Sequence, residues 1–215
     1  MQTVYVITTG GTIEKVYQEN TGSVENLENK IARYLRLLRL PDLRVETSNL
    51  MNKDSLEMTA ADRELILEAV KHKLQKPAPL VITHGTDTMV RAGLHLQRRL
   101  PHLKVPIILT GAMTPLGFEG SDGLQNLTES LFAARILKPG VYLVMHSQVF
   151  RIDRVRKNKK LSRFVWKRGE GGPLVGAPEK QSKGMMRHFA VTLPMAAKPQ
   201  KRRALGRPGI VRSGA

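Results

Sequence analysis

Short β-branched and aliphatic runs alternate with segments of helical period along the first 145 residues, and few folds accept that order. The runs are Thr3–Ile7, Arg44–Thr47, Leu80–Thr83, Pro106–Thr110 and Val141–Met145. Between them, Asn26–Leu38 carries Leu27, Ile31, Tyr34, Leu35 and Leu38 at helical spacing. Thr59-Ala60-Ala61-Asp62 reads as a capping box that opens a helix through Leu74, with Leu65, Ile66, Ala69, Val70 and Leu74 turned inward. Further helices are expected over 88–99 and 122–137, and the polar, Gly-rich stretch 9–24 reads as a long loop. Strands alternating with helices through short connections predict an α/β fold: an open, mostly parallel sheet with helices on both faces.

Charge divides the chain. Of 35 Lys and Arg and 18 Asp and Glu, residues 151–215 hold 18 basic and 3 acidic side chains, so the first 150 residues are nearly neutral. From about residue 168 the pattern breaks: Gly169-Glu170-Gly171-Gly172-Pro173 is a breaker cluster, and the remainder mixes Lys and Arg with Pro, Gly and Ala. This predicts a catalytic domain over 1–165 and a basic, largely disordered tail over 166–215. Cysteine is absent, which removes disulfides and thiolate metal sites. No stretch approaches the roughly 18 apolar residues of a membrane span, and Met1-Gln2-Thr3 runs straight into a strand with no export signal. A cytoplasmic protein is the expectation.

Chemistry concentrates in two loops at strand ends. Thr9-Gly10-Gly11-Thr12-Ile13 follows Val4–Ile7, and His84-Gly85-Thr86-Asp87-Thr88 follows Leu80–Ile82. In an open parallel sheet, ligands bind outside the carboxyl ends of the strands. Gly10 and Gly11 allow close backbone approach and can offer N–H groups to a developing oxyanion. Thr12 and Thr86 are candidate nucleophiles that need a nearby base, and Asp87 can hold an amino group or orient a proton carrier. Tyr17 follows Thr12 in the same loop. Each piece also has a plain structural reading: Thr86 or Thr88 can cap the next helix, Tyr17 can be a surface aromatic, Ser55 a loop residue, and Lys157 one charge on a solvated face. No His/Asp/Glu group has metal-ligand spacing, so no metal or cofactor is expected.

Together, these segments resemble the bacterial-type L-asparaginase family. The matching pieces are Thr9–Ile13, Asp54-Ser55-Leu56-Glu57-Met58-Thr59, Val81–Thr88, Thr110-Gly111-Ala112-Met113 and Lys157-Asn158, in collinear order over roughly residues 1–165. The resemblance implies hydrolysis of the L-asparagine side-chain amide, with L-glutamine as a side substrate, through a threonine acyl-enzyme. Thr12 would be the nucleophile with Tyr17 as partner, while Thr86, Asp87 and Lys157 would form a second triad. Asp87 would bind the substrate α-amino group, Ser55 the α-carboxylate, and Gly11 and Thr86 would supply oxyanion donors. It also implies a homo-oligomer.

The family's second α/β domain is not visible after Phe164, and Leu56 stands where the family often has a polar, substrate-contacting residue. The tail resembles neither that domain nor a folded segment, and its texture is also that of an out-of-frame translation. An alternative class is therefore a catalytically impaired fragment whose basic tail binds nucleic acid or other acidic surfaces.

Overall fold

A computed structural model describes residues 1–25 and 30–167. The tail over 168–215, the breaker cluster within it, and Leu27 at the start of the first expected helix lie outside the described residues. In chain order the elements are β1 (Gln2–Gly10), β2 (Val16–Tyr17), β3 (Val24–Glu25), α1 (Ile31–Leu35), β4 (Leu43–Lys53), α2 (Ala60–Leu74) and β5 (Leu80–Thr83). There follow α3 (Met89–Arg99), β6 (Pro106–Thr110), α4 (Gly123–Ile136), β7 (Gly140–Met145), β8 (Gln148–Arg151), β9 (Val155–Asn158) and β10 (Arg163–Trp166).

Six strands form one sheet in the order β4-β1-β5-β6-β7-β8. All neighbours pair in parallel except β7 and β8, whose antiparallel pairing follows from the tight turn at His146-Ser147, both at positive φ. Alternate residues of each strand face opposite sides. Tyr5, Ile7, Leu80, Ile82 and Ile107 pack on α2 and α3, while Val4, Val6, Val81 and Ile108 pack on α1 and α4. The α/β expectation of a mostly parallel sheet covered on both faces holds. From β1 the chain crosses to β4 on one side, and from β5 it crosses to β6 on the other, so β1 and β5 flank the topological switch point.

Local differences from the sequence expectation have identifiable causes. The 9–24 stretch is not one loop: β1 runs to Gly10, a 3-10 turn spans Thr12–Glu14, and β2 and β3 make a small hairpin turned at Gly22. Val16, Tyr17 and Val24 supply the β-favouring residues that a count of polar positions hides. β4 is eleven residues rather than four, because pairing with β1 carries its polar half along. In α2 the buried arc is Ile66, Leu67 and Val70, whereas Leu65 is 54% exposed, one helical step outside that arc.

The α2 start is built as expected. The Thr59 hydroxyl accepts from the Asp62 N–H at 3.2 Å, and Asp62 Oδ2 accepts from the Thr59 N–H at 2.8 Å. Asp62 Oδ1 also holds the Lys53 ammonium at 2.7 Å, which latches the helix to the end of β4. Lys53, together with the Thr59 backbone, keeps the Asp62 carboxyl down at about 2. Thr59→Ala is expected to lower the unfolding free energy by about 1 kcal/mol, read by urea denaturation; no change would mean the cap is idle.

Candidate functional site

The loops that leave β1 and β5 touch backbone to backbone. Gly11 sits at φ 82° and is packed so closely on Gly85 that a Cβ there would collide with the Gly85 N and Cα. Gly85 in turn lies against Ser55, whose Cβ and Oγ would each be 2.5 Å from an added Cβ. Three segments from different parts of the chain therefore stack as Gly11, Gly85 and Ser55, and no side chain wider than hydrogen fits at the first two positions. Thr12 and Thr86 are each the next residue, about 3.8 Å of chain from that contact.

Hydrogen bonds fix the stack. The Gly11 N–H donates to the Lys53 carbonyl at 2.9 Å, the Thr9 hydroxyl to the Thr83 carbonyl at 2.8 Å, and the Thr88 hydroxyl to the Ser55 carbonyl at 2.8 Å. Thr88 is thus the N-terminal flank of α3, but its hydroxyl ties down the Ser55 loop instead of capping the helix. A register shift in β4, where Asn49 pairs with Thr8 but Lys53 with Gly10, bulges the strand just before Asp54 and Ser55. Lys15, three residues past Thr12, forms an ion pair with Asp54 at 2.7 Å. That hydrogen bond holds the Asp54 carboxyl below its usual range.

Lys157 reaches the second loop from 70 residues away. Its Nζ donates to Thr86 Oγ1 at 2.6 Å and to Asp87 Oδ1 at 3.0 Å. Core packing delivers it: Val155 and Phe164 of the β9–β10 hairpin are buried, and Trp166 stacks on Phe150 with ring centroids 4.8 Å apart. The charge run Arg154–Lys160 is therefore not a uniform solvated face, since one of its lysines points inward onto a buried hydroxyl. Trp166, placed in the tail by composition, closes this hairpin.

His84 is buried, and burial pushes it down to about 4. As a neutral ring it places Nδ1 at 2.8 Å from the Gly85 carbonyl, which requires the proton on that nitrogen. The next loop is pinned by Asp122. Its carboxylate accepts from the Met113 and Thr114 N–H groups at 2.9–3.0 Å, from Asn126 Nδ2 at 2.9 Å, and pairs with His146 Nε2 at 2.7 Å. Burial raises this carboxyl, but these bonds more than reverse the effect and leave it below its usual range.

Gly11, Ser55, Thr86, Asp87 and Lys157 are thus brought together, with Thr12 half-buried beside them. Tyr17 is not drawn in to the same degree: it is 54% exposed on β2, and no hydrogen bond joins it to Thr12. Sequence reasoning gave no role to Lys15, Asp54, Glu14 or Asp122. An acid in a polar loop leaves no local signal, and Lys15 meets Asp54 only across the β1–β4 pairing. Among the described residues no group of three His, Asp or Glu could hold a metal ion, and no helix is long and apolar enough to cross a membrane.

The threonine loops meet at the sheet's switch point, where open α/β sheets bind ligands, and there a lysine bridges a hydroxyl and a carboxylate. The chain belongs to the asparaginase family, whose N-terminal domain model matches residues 3–186. It is 30% identical over 152 residues to the L-asparaginase of Thermococcus kodakarensis, covering 71% of this chain and 46% of that one. It is 33% identical over 164 residues to L-asparaginase 1 of Escherichia coli K12, covering 73% and 47%. The solved thermostable L-asparaginase of Thermococcus kodakarensis superposes with a TM-score of 0.71 at 28% identity, over 86% of this chain and 59% of that one. L-asparaginase I of Vibrio cholerae gives 0.69 at 27%, over 83% and 54%. The chain spans about half the length of the curated relatives it matches.

The glycine contact yields a paired prediction. Gly11 and Gly22 both adopt positive φ, but only Gly11 faces another backbone, while Gly22 faces open space. Gly11→Ala is expected to cost about 1–3 kcal/mol of strain plus the collision, and Gly22→Ala only the lesser part of that range. Equal losses in chemical denaturation would contradict the packed-loop account.

Proposed function

We propose that this chain hydrolyses the side-chain amide of L-asparagine to L-aspartate and ammonia, with Thr12 as nucleophile. The observation that carries the reading is the Thr86–Lys157–Asp87 arrangement, 2.6 Å and 3.0 Å from one ammonium nitrogen, set beside the Thr12 loop by the Gly11–Gly85 contact. Family membership and the asparaginase names of the relatives agree with it.

In this scheme Thr12 Oγ adds to the amide carbon, and the carbonyl oxygen becomes an oxyanion facing the Thr86 N–H, because the Gly11 N–H expected to join it is spent on the Lys53 carbonyl at 2.9 Å. The C–N bond then breaks as the nitrogen takes up the proton given up by the Thr12 hydroxyl and leaves as ammonia, giving an aspartyl ester on Thr12. Water adds to that ester, and Thr86, oriented by Lys157, takes part in moving its proton. The acyl carbon then releases Thr12, which recovers its hydrogen. Asp87 binds the α-amino group, Ser55 the α-carboxylate, and Tyr17 serves Thr12 when the β2–β3 hairpin folds over bound substrate. L-glutamine is a slower substrate of the same site, and the working form is a homo-oligomer in the cytoplasm without metal or cofactor.

Thr12→Ala, Thr86→Val and Lys157→Met are each expected to lower kcat for ammonia release from L-asparagine by about 100- to 10,000-fold with unchanged far-UV circular dichroism. Full activity in both threonine variants would overturn the assignment. The concentration of positive charge after residue 151 favours one second reading, electrostatic binding of a polyanion through residues 168–215. Its signature is DNA affinity that falls steeply with salt and vanishes when those residues are removed.

A further inference from the structure

Glu14 is an acid set inside the first threonine loop, and no step above uses it. It closes the Thr12–Glu14 turn and is only 1% exposed. Its Oε2 accepts the Gly10 N–H at 2.9 Å, while Oε1 is buried without a hydrogen-bond partner. A buried carboxylate needs donors or a cation to replace lost water. The second group on this carboxyl is the Thr8 hydroxyl. That hydroxyl has a single hydrogen, and it is directed at Asn49 Oδ1 at 3.1 Å. The carboxyl therefore has one full donor, the Gly10 N–H, and only a share of the Thr8 hydroxyl, which is little to hold a carboxylate in a site closed to water. Thr83, the register partner of Thr8 across β1 and β5, adds a buried hydroxyl without a hydrogen-bond partner on the same sheet face.

Among the described residues, no cation compensates the Glu14 carboxyl. Lys15 is engaged by Asp54, Lys53 by Asp62, Arg44 by Glu46, Lys157 by Asp87, and His146 by Asp122. Neutral His84 is committed to the Gly85 carbonyl. Desolvation, only partly offset by the Gly10 and Thr8 bonds, accordingly raises the carboxyl from 4.5 to about 7.

We propose that Glu14 is a positioning residue that works as a neutral acid, tying Gly10 to the Thr8 end of β1 and thereby fixing the Gly10-Gly11 turn from which Thr12 projects. The functional part of this inference rests on the reading of Thr12 above. The structural part does not.

The test compares the full chain with Glu14→Gln and Glu14→Ala, following thermal midpoints and ammonia release from pH 5 to 8.5. Glutamine keeps an acceptor for Gly10 and a donor for Thr8 without an ionisable proton. The folded wild type retains a proton that the unfolded chain sheds above pH 4.5, so its stability is greatest below that pH and is lost as pH rises to about 7. The midpoint of E14Q should therefore gain on wild type by several degrees across this window and hold a constant lead above it. E14A should be the least stable variant and lose roughly ten- to a hundredfold in kcat, with E14Q restoring most of it and lacking the wild-type decline above neutral pH. A midpoint difference that does not change with pH, or an E14Q as unstable as E14A, would overturn the proposal. A pH-dependent difference in a chain that releases no ammonia would uphold the neutral clamp and overturn only the amide-hydrolysis reading.

Discussion

The approach of Gly11 to Gly85 constrains everything else in this molecule's chemistry. Two loops separated by more than 70 residues can share one site only if their backbones come closer than side chains allow, and both loops provide glycine at that point. The sheet order makes the approach possible, since β1 and β5 are neighbours whose onward connections diverge. The residue after each glycine is a threonine. The same packing continues to Ser55, whose place is set by a bulge in β4 and by the Thr88 hydroxyl. The site is thus a consequence of strand register, with the first threonine loop held to the Ser55 loop by Lys15–Asp54.

Lys157 arrives by a different route. It sits on a two-stranded hairpin outside the main sheet, whose position depends on Val155, Phe164 and Trp166 entering the hydrophobic core. A short hairpin alone is marginal in water. Its attachment to Phe150 and the α3 side of the core makes the 2.6 Å contact to Thr86 a fixed feature of the fold. Polar and apolar parts are coupled here: loosening the core under the hairpin would move the ammonium before it moved either threonine loop.

Much of this was legible in the sequence, for physical reasons that differ by element. Leu80–Thr83 and Pro106–Thr110 are buried on both faces and read directly as strands, and the Thr59–Asp62 box announces α2 through side chains three residues apart. The threonine loops were visible because glycine and threonine at strand ends leave a local signature. Less visible was whatever depends on pairing: the polar half of β4, the β2–β3 hairpin, and the exposure of Leu65 in place of Leu67. Lys157 was marked by resemblance, and its inward direction follows only from the hairpin. Glu14 had no reading in the sequence, because its meaning depends on burial and on a Thr8 hydroxyl that also bonds Asn49.

The proposed reaction requires both threonine loops and Lys157 to act as one binding site. A crystal structure of the full chain grown with L-aspartate tests it most directly. The expected result is aspartate bound with its side-chain carboxylate between Thr12 and Thr86, its α-amino group on Asp87 and its α-carboxylate at Ser55. Aspartate bound elsewhere, or an empty site at saturating ligand with the Thr86–Lys157 contact intact, would contradict it.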